Sequence, residues 1–201
     1  MTSDFVLPLF PLDDTVLFPG GRVRAGGRTR MEREAVAESQ AFGDRVVASL
    51  KDGESVHEVG VTAVVAKDEQ GLQLCGLGRC RLVELIRDDP PMVKAETFPD
   101  RIGRLAGRAA PVSRLLGSRF NKLCDAIGRS LWRAPAGAEL SALTWTVAAG
   151  LGLSVDQQQG FLNVPDPVTR GRLLLAAVRE LERRERFLRP WAHLRQTAGW
   201  N

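Results

Sequence analysis

The stretch Phe5-Val-Leu-Pro-Leu-Phe-Pro-Leu-Asp-Asp-Thr-Val-Leu-Phe-Pro-Gly20 limits what this chain can become more than any other part of it. Eight apolar residues (Val6, Leu7, Leu9, Phe10, Leu12, Val16, Leu17 and Phe18) crowd a short span that has to be buried. Pro8, Pro11 and Pro19 forbid a helix there, since each lacks an N–H and holds the residue before it extended. The segment reads as a short strand over Val6–Leu9, a turn at Asp13-Asp14 and an extended piece from Thr15 to Phe18. Proline inside such a segment suits a barrel edge or crossover better than a central strand. A leader peptide is not indicated, because no basic region precedes the apolar part and prolines interrupt it.

The rest of the chain divides by period. Thr29 to Phe42 reads as a helix capped by Thr29 and stopped by Gly43, with a thin apolar stripe of Met31, Ala35, Val36, Ala41 and Phe42. Val46–Leu50 is a short buried strand, and Val59–Val65 alternates with period two. In the next strand Leu72, Leu74, Cys80 and Leu82 share one parity, whereas Val83 and Leu85 fall on the other. A slip of parity beside Gly76 and Gly78 predicts a bulge. Val93–Phe98 alternates again.

After Pro99 the strand signals stop. Arg101–Ala110 reads as a linker, and Val112, Leu116, Phe120, Leu123, Ile127 and Leu131 then lie on one helical face. Ser141 is the expected cap of a second helix, through Leu151, and Ser154 with Gln157 makes a capping box for a third. Asp166-Pro167 opens a final helix to about Leu188, with Leu174, Val178 and Leu181 inward and the pairs Glu180/Arg184 and Glu182/Arg186 outward. Strands followed by helices make an α+β protein. The expected division is a β-rich lobe over 1–100 and a helical lobe over 101–201, whose final helix runs over about 166–188.

The chemistry expected of an active site is missing from these patterns. The 201 residues contain only His57 and His193, and Cys75, Cys80 and Cys124 show no metal-ligand spacing and read as buried structural cysteines. Gly76-Leu-Gly-Arg-Cys-Arg81 continues as strand instead of opening a helix, which argues against a dinucleotide loop. Asp13-Asp14 and Asp88-Asp89 flank prolines in turns, where Asp serves the backbone. The net charge of +4 comes with 24 Arg against 4 Lys. No apolar run approaches a membrane span. The chain is therefore expected to be cytoplasmic, non-enzymatic and free of cofactor and metal.

Four segments in order carry a family resemblance. The opening Leu7–Gly20, the strand Val59-Gly-Val-Thr-Ala-Val-Val65, the segment Leu72-Gln-Leu-Cys-Gly-Leu-Gly-Arg-Cys-Arg-Leu82 and the helix entry Gln159–Arg170 together resemble the LON domain. That domain is the amino-terminal substrate-recognition region of ATP-dependent Lon proteases (peptidase family S16), found also in stand-alone bacterial proteins. The resemblance spans roughly residues 5–188. It implies an N-terminal PUA-like β pseudo-barrel lobe followed by a C-terminal α-helical bundle lobe. It also implies a non-catalytic module that binds unfolded or flexible polypeptide segments, as an adaptor in protein quality control. A protease partner and self-association stay open, and no membrane partner is implied.

The sequence shows no counterpart of Lon's ATPase and Ser–Lys protease domains, so proteolysis is not implied. Where the family carries an apolar segment after the Phe-Pro-Gly turn, this chain has Arg22-Val-Arg-Ala-Gly-Gly-Arg28, a basic rim. Leu12, Phe18, Arg22 and Arg24 are the candidate polypeptide-binding residues. On local pattern alone, Leu12 and Phe18 read also as core and the two arginines as solvated charge. RNA binding by the barrel and its basic rim is the alternative, opposed by the lack of aromatic residues interleaved with the arginines.

Overall fold

The computed structural model describes residues 3–26, 29–69, 71–101, 103, 105–128 and 133–191. Contacts divide the chain into two units: Met1–Arg101 with Gly152–Pro165, and Ile102–Leu151 with Asp166–Asn201. A single cut after residue 100 therefore misses one feature. Residues 152–165, expected among the helices, return to the strand-rich unit.

The first unit contains strands β1 (Asp4–Leu12), β2 (Arg22–Arg24), β3 (Arg45–Asp52), β4 (Ser55–Val56), β5 (Val59–Asp68), β6 (Gly71–Asp88) and β7 (Pro91–Thr97). Their order is β1-β7-β6-β5-β3-β4, with β2 beside β6, and β1 also pairs with β3, so the sheet closes on itself. Among the described residues all strand pairings are antiparallel except β1 with β3.

Strand β1 explains how a proline-rich segment can close a sheet. Asp4–Pro8 pairs with Glu96–Met92 of β7, and Leu9–Leu12 pairs with Val47–Leu50 of β3. Each half of the strand pairs along one side, which leaves the proline nitrogens an edge where no donor is required. β1 is longer than the Val6–Leu9 expected, and Thr15–Phe18 lies outside the strands. Leu7 and Leu9 enter a core with Val47, Cys80, Val93 and Ala95. Leu7 to Leu12 are all buried, and helix α1 (Arg30–Ser39) packs against the strand.

Helix α1 starts as its sequence requires, with the Thr29 hydroxyl accepting from Glu32 N at 3.1 Å. Gly43, at φ 67°, ends the following 3-10 turn in the left-handed region that only glycine adopts without strain. Its buried side is Glu32, Ala35 and Ser39, while Met31 and Phe42 are exposed. The thin stripe seen in the sequence was thus partly the wrong face. Helix α4 (Val155–Asn163) completes this unit, with the Ser154/Gln157 capping box formed.

The second unit contains α2 (Ala109–Ala126), α3 (Leu140–Gly150) and α5 (Pro167–Leu188). α2 ends at Ile127 and Gly128, short of the expected Leu131, which lies outside the described residues; Ile127 is exposed. α3 begins one residue before Ser141, with Glu139 at the cap position and no side-chain bond there. α5 starts at Asp166, whose carboxylate accepts from Val168 N and Thr169 N. Its Glu180 pairs with Arg183 and its Glu182 with Arg119 of α2, replacing the expected i,i+4 partners.

Leu116, Phe120, Leu143, Val147, Leu174 and Val178 form apolar faces buried in this unit. Among them Arg170 is fully buried: its Nε donates to Thr144 Oγ1 at 2.8 Å and its guanidinium lies 3.5 Å from the Trp145 ring centroid. Gly171 permits that packing, because a Cβ there would meet Val112 Cγ1 at 2.8 Å. No described helix is long and apolar enough to cross a membrane.

Candidate functional site

The four residues singled out from the sequence occupy two environments. Leu12 and Phe18 are 5% and 3% exposed, so their side chains are covered within the first unit. Arg22 and Arg24 are the exposed ends of β2. Leu12 and Arg24 line one cleft of about 260 Å³, together with Asp13, Asp14 and Glu32; Phe18 and Arg22 do not line it.

Phe18 owes its position to a glycine. Gly76 N donates to Gly21 O at 3.0 Å, and Gly20 N donates to Gly76 O at 2.9 Å. A Cβ on Gly76 would lie 2.3 Å from the Phe18 carbonyl oxygen, closer than any side chain is tolerated. The Phe-Pro-Gly turn therefore docks on β6 backbone to backbone. Gly60 does the same opposite Ala48, whose carbonyl oxygen would be 2.6 Å from an added Cβ.

β6 is the strand whose chemistry differs most from its neighbours. Its register shifts at three places. Leu77 is the extra residue opposite Thr62/Ala63, Val83 the extra residue between Leu82 and Glu84, and Ile86 that between Leu85 and Arg87. A bulge re-aims the side chain it inserts. Leu77, Val83 and Ile86 are accordingly 51%, 55% and 49% exposed, and Leu85, which stays paired with Val93, is 52% exposed. Single exposed apolar residues are ordinary, but Val83, Leu85 and Ile86 fall within four consecutive positions. The parity slip at Gly76–Gly78 was legible in the sequence. The exposure of the residues beyond it was not, because alternation says which positions share a face and not whether anything covers it.

The same reach of β6 also has an open edge. β5 pairs with it as far as Arg81, and Leu82 N then donates to Glu58 O at 2.8 Å. From Val83 to Asp88, among the described residues, only β7 is beside it. Ion pairs tie the hairpin to α1: Arg87 Nη2 donates to Glu38 Oε1 at 2.6 Å and Arg30 Nη2 to Asp89 Oδ2 at 3.1 Å.

Further along β6, Arg79 anchors the unit. It is buried, with Nη1 donating to the carbonyls of Leu162 (2.9 Å) and Val164 (3.1 Å) and Nη2 to Asp100 Oδ1 (2.6 Å). The Phe98 ring lies 4.5 Å below its guanidinium. A planar five-donor group suits this task, because the end of α4 offers carbonyls and no carboxylate. Gln159 adds a second tie, Nε2 to Val59 O at 2.8 Å. The sequence offered Arg79 only as one of two arginines in a strand motif, with no local signal to set it apart from half-buried Arg81.

Burial pushes the Cys80 thiol up to about 12, against weak opposition from the Gly60 and Thr62 backbone, so it is no nucleophile at neutral pH. No group of three His, Cys, Asp or Glu among the described residues could hold a metal ion. What the first unit presents is an apolar strand with an open edge on a braced frame.

Residues 6–180 match the model of the ATP-dependent protease La (LON) substrate-binding domain. The chain belongs to that family. Among curated proteins, Lon protease 2 of Myxococcus xanthus is 28% identical over 194 residues, covering 85% of this chain and 23% of that protein. This LON substrate-binding domain thus spans about a quarter of the relative's length. The N-terminal domain of a Mycobacterium avium complex Lon protease superposes with a TM-score of 0.66 at 19% identity, covering 87% of this chain and 98% of that one. The Lon N-terminal domain protein of Xanthomonas campestris gives 0.59 at 22% identity, covering 86% and 98%. At such identities the likeness is one of fold. The LON fold here combines a mostly antiparallel sheet with helices, and the family's name designates substrate binding.

Proposed function

We propose that this chain is a non-catalytic module that binds exposed apolar segments of unfolded or flexible polypeptides, and that it serves as an adaptor in protein quality control. The observation that carries the reading is the cluster Val83, Leu85 and Ile86, half exposed on β6 of a LON substrate-binding fold. The closed sheet supports the reading of the first unit as a pseudo-barrel of PUA-like type. Arg22 and Arg24 form a basic rim on β2, an accessory to apolar contact and not its source. Leu12 and Phe18, being covered, act by shaping the frame.

Affinity is expected to be weak, about micromolar or poorer, since a shallow surface buries little area and ordering a flexible chain offsets part of the gain. Fluorescence anisotropy with a reduced, alkylated and therefore permanently unfolded protein tests it. Binding should survive added salt and fall in a Val83→Lys/Ile86→Lys variant whose circular dichroism is unchanged. Binding that is confined to structured RNA, falls steeply and linearly in log–log salt plots and is flattened by Arg22→Ala/Arg24→Ala would refute it.

A further inference from the structure

We propose that the free edge of β6 from Val83 to Asp88 accepts an added strand: a short, extended apolar segment of another protein, flanked by Lys or Arg. This rests on the polypeptide-binding reading and assigns its place and mode. A strand paired on one side only presents backbone donors and acceptors that an extended peptide can complete, with side-chain contacts adding selectivity. Here every residue from Val83 to Asp88 is exposed, so nothing described shields those groups. The bulges at Val83 and Ile86 place apolar side chains beside the edge, and they limit its regular length, which favours a short occupant.

Charge narrows the occupant further. Arg81 is engaged by Glu58, Arg87 by Glu38 and Asp89 by Arg30. Asp88 makes no ion pair among the described residues, and Glu84 stands opposite Lys94 of β7, a lysine already paired with Asp4, so the edge keeps an excess of negative charge. A second copy is a poor partner for the same reason. Antiparallel self-pairing centred on Ile86 sets Glu84 against Asp88, which repel, and the register that instead meets Glu84 with Arg87 must draw Arg87 away from Glu38. A partner with cations at the ends of its apolar run meets no such opposition.

The test uses a fluorescein-labelled peptide of about eight residues, alternating Val and Thr between terminal lysines. Two further versions carry backbone N-methyl groups, each on one of the two alternating sets of residues. A strand added along one edge uses the N–H groups of one set only. One N-methylated version should therefore bind about tenfold or more weakly, while the other stays within about twofold of the parent. Exchange of the amides in 83–88 should slow when the parent peptide is added, and Val83→Lys/Ile86→Lys should abolish that protection. Equal binding of all three peptides, or protection confined to other segments, overturns strand addition and leaves the module reading standing when unfolded protein still binds. Loss of binding to both peptide and unfolded protein overturns both.

Discussion

Replacing Arg79 with alanine should release α4 from the strands while leaving the strands themselves paired. The side chain is 2% exposed and makes three charge-assisted hydrogen bonds, to Leu162 O, Val164 O and Asp100. Removing one partner of a buried pair costs about 3–5 kcal/mol, most of it from the groups left behind. Asp100, at 19% exposure, regains some water, and the Val164 carbonyl is partly accessible. That places the expected loss near the lower end, about 3 kcal/mol. Arg79→Lys keeps the charge but loses the planar fork, so about half of the loss should remain. The assay is urea unfolding by circular dichroism, with hydrogen exchange read separately for residues 155–163. Faster exchange there, without change in β3 and β5, is the expected signature. A loss below about 1 kcal/mol with α4 exchange unaltered would refute the view that this arginine holds residues 152–165 in the first unit.

Three further outcomes follow from local geometry. Gly76→Ala should cost about 2 kcal/mol or more, since its Cβ meets a backbone oxygen at 2.3 Å, whereas Gly160→Ala, exposed in α4 with nothing within 4 Å, should gain about 0.5–1 kcal/mol; urea midpoints compare them. At Asp166, burial raises the carboxyl pKa, but hydrogen bonds from the Thr169 hydroxyl and the N–H groups of Thr169, Val168 and Gly103 outweigh it and hold the value below 3.8. That stabilisation is present in full above 3.8 and is lost as pH falls through the lower folded value. Asp166→Asn keeps the cap and should flatten the acid limb of a stability–pH curve, while Asp166→Ala should cost about 1 kcal/mol at neutral pH. With Cys80 pushed up to about 12 and Cys124 buried, a thiol reagent at neutral pH should label half-buried Cys75 first, and equal labelling rates would contradict the described burial.

Much of this fold was written in local pattern. Period-two alternation located β5 and β7, 3.6-residue spacing located α2 and α5, and the caps at Thr29, Ser154 and Asp166 formed as their residue types require. These features depend on backbone torsions and neighbours within a turn or two, so the residues themselves carry them. The bulge beside Gly76 belongs to the same class, because a slip in parity is a local event.

What remained was decided by partners far away in the chain. β1 divides its pairing between β7 and β3, and nothing in Phe5–Gly20 names either. The capping box announced α4, but its return to the strand unit depends on Arg79 and Gln159 finding acceptors 83 and 100 positions distant. α1 buries Glu32 over Met31, and α5 buries Arg170, because the packed surface and not the residue's polarity sets which face turns inward. Leu12 and Phe18 were apolar enough for either core or contact surface, and Val83, Leu85 and Ile86 were apolar enough for either core or edge. Only the closed sheet, by leaving one stretch of β6 paired on a single side, assigned the first pair to the interior and the second group to solvent.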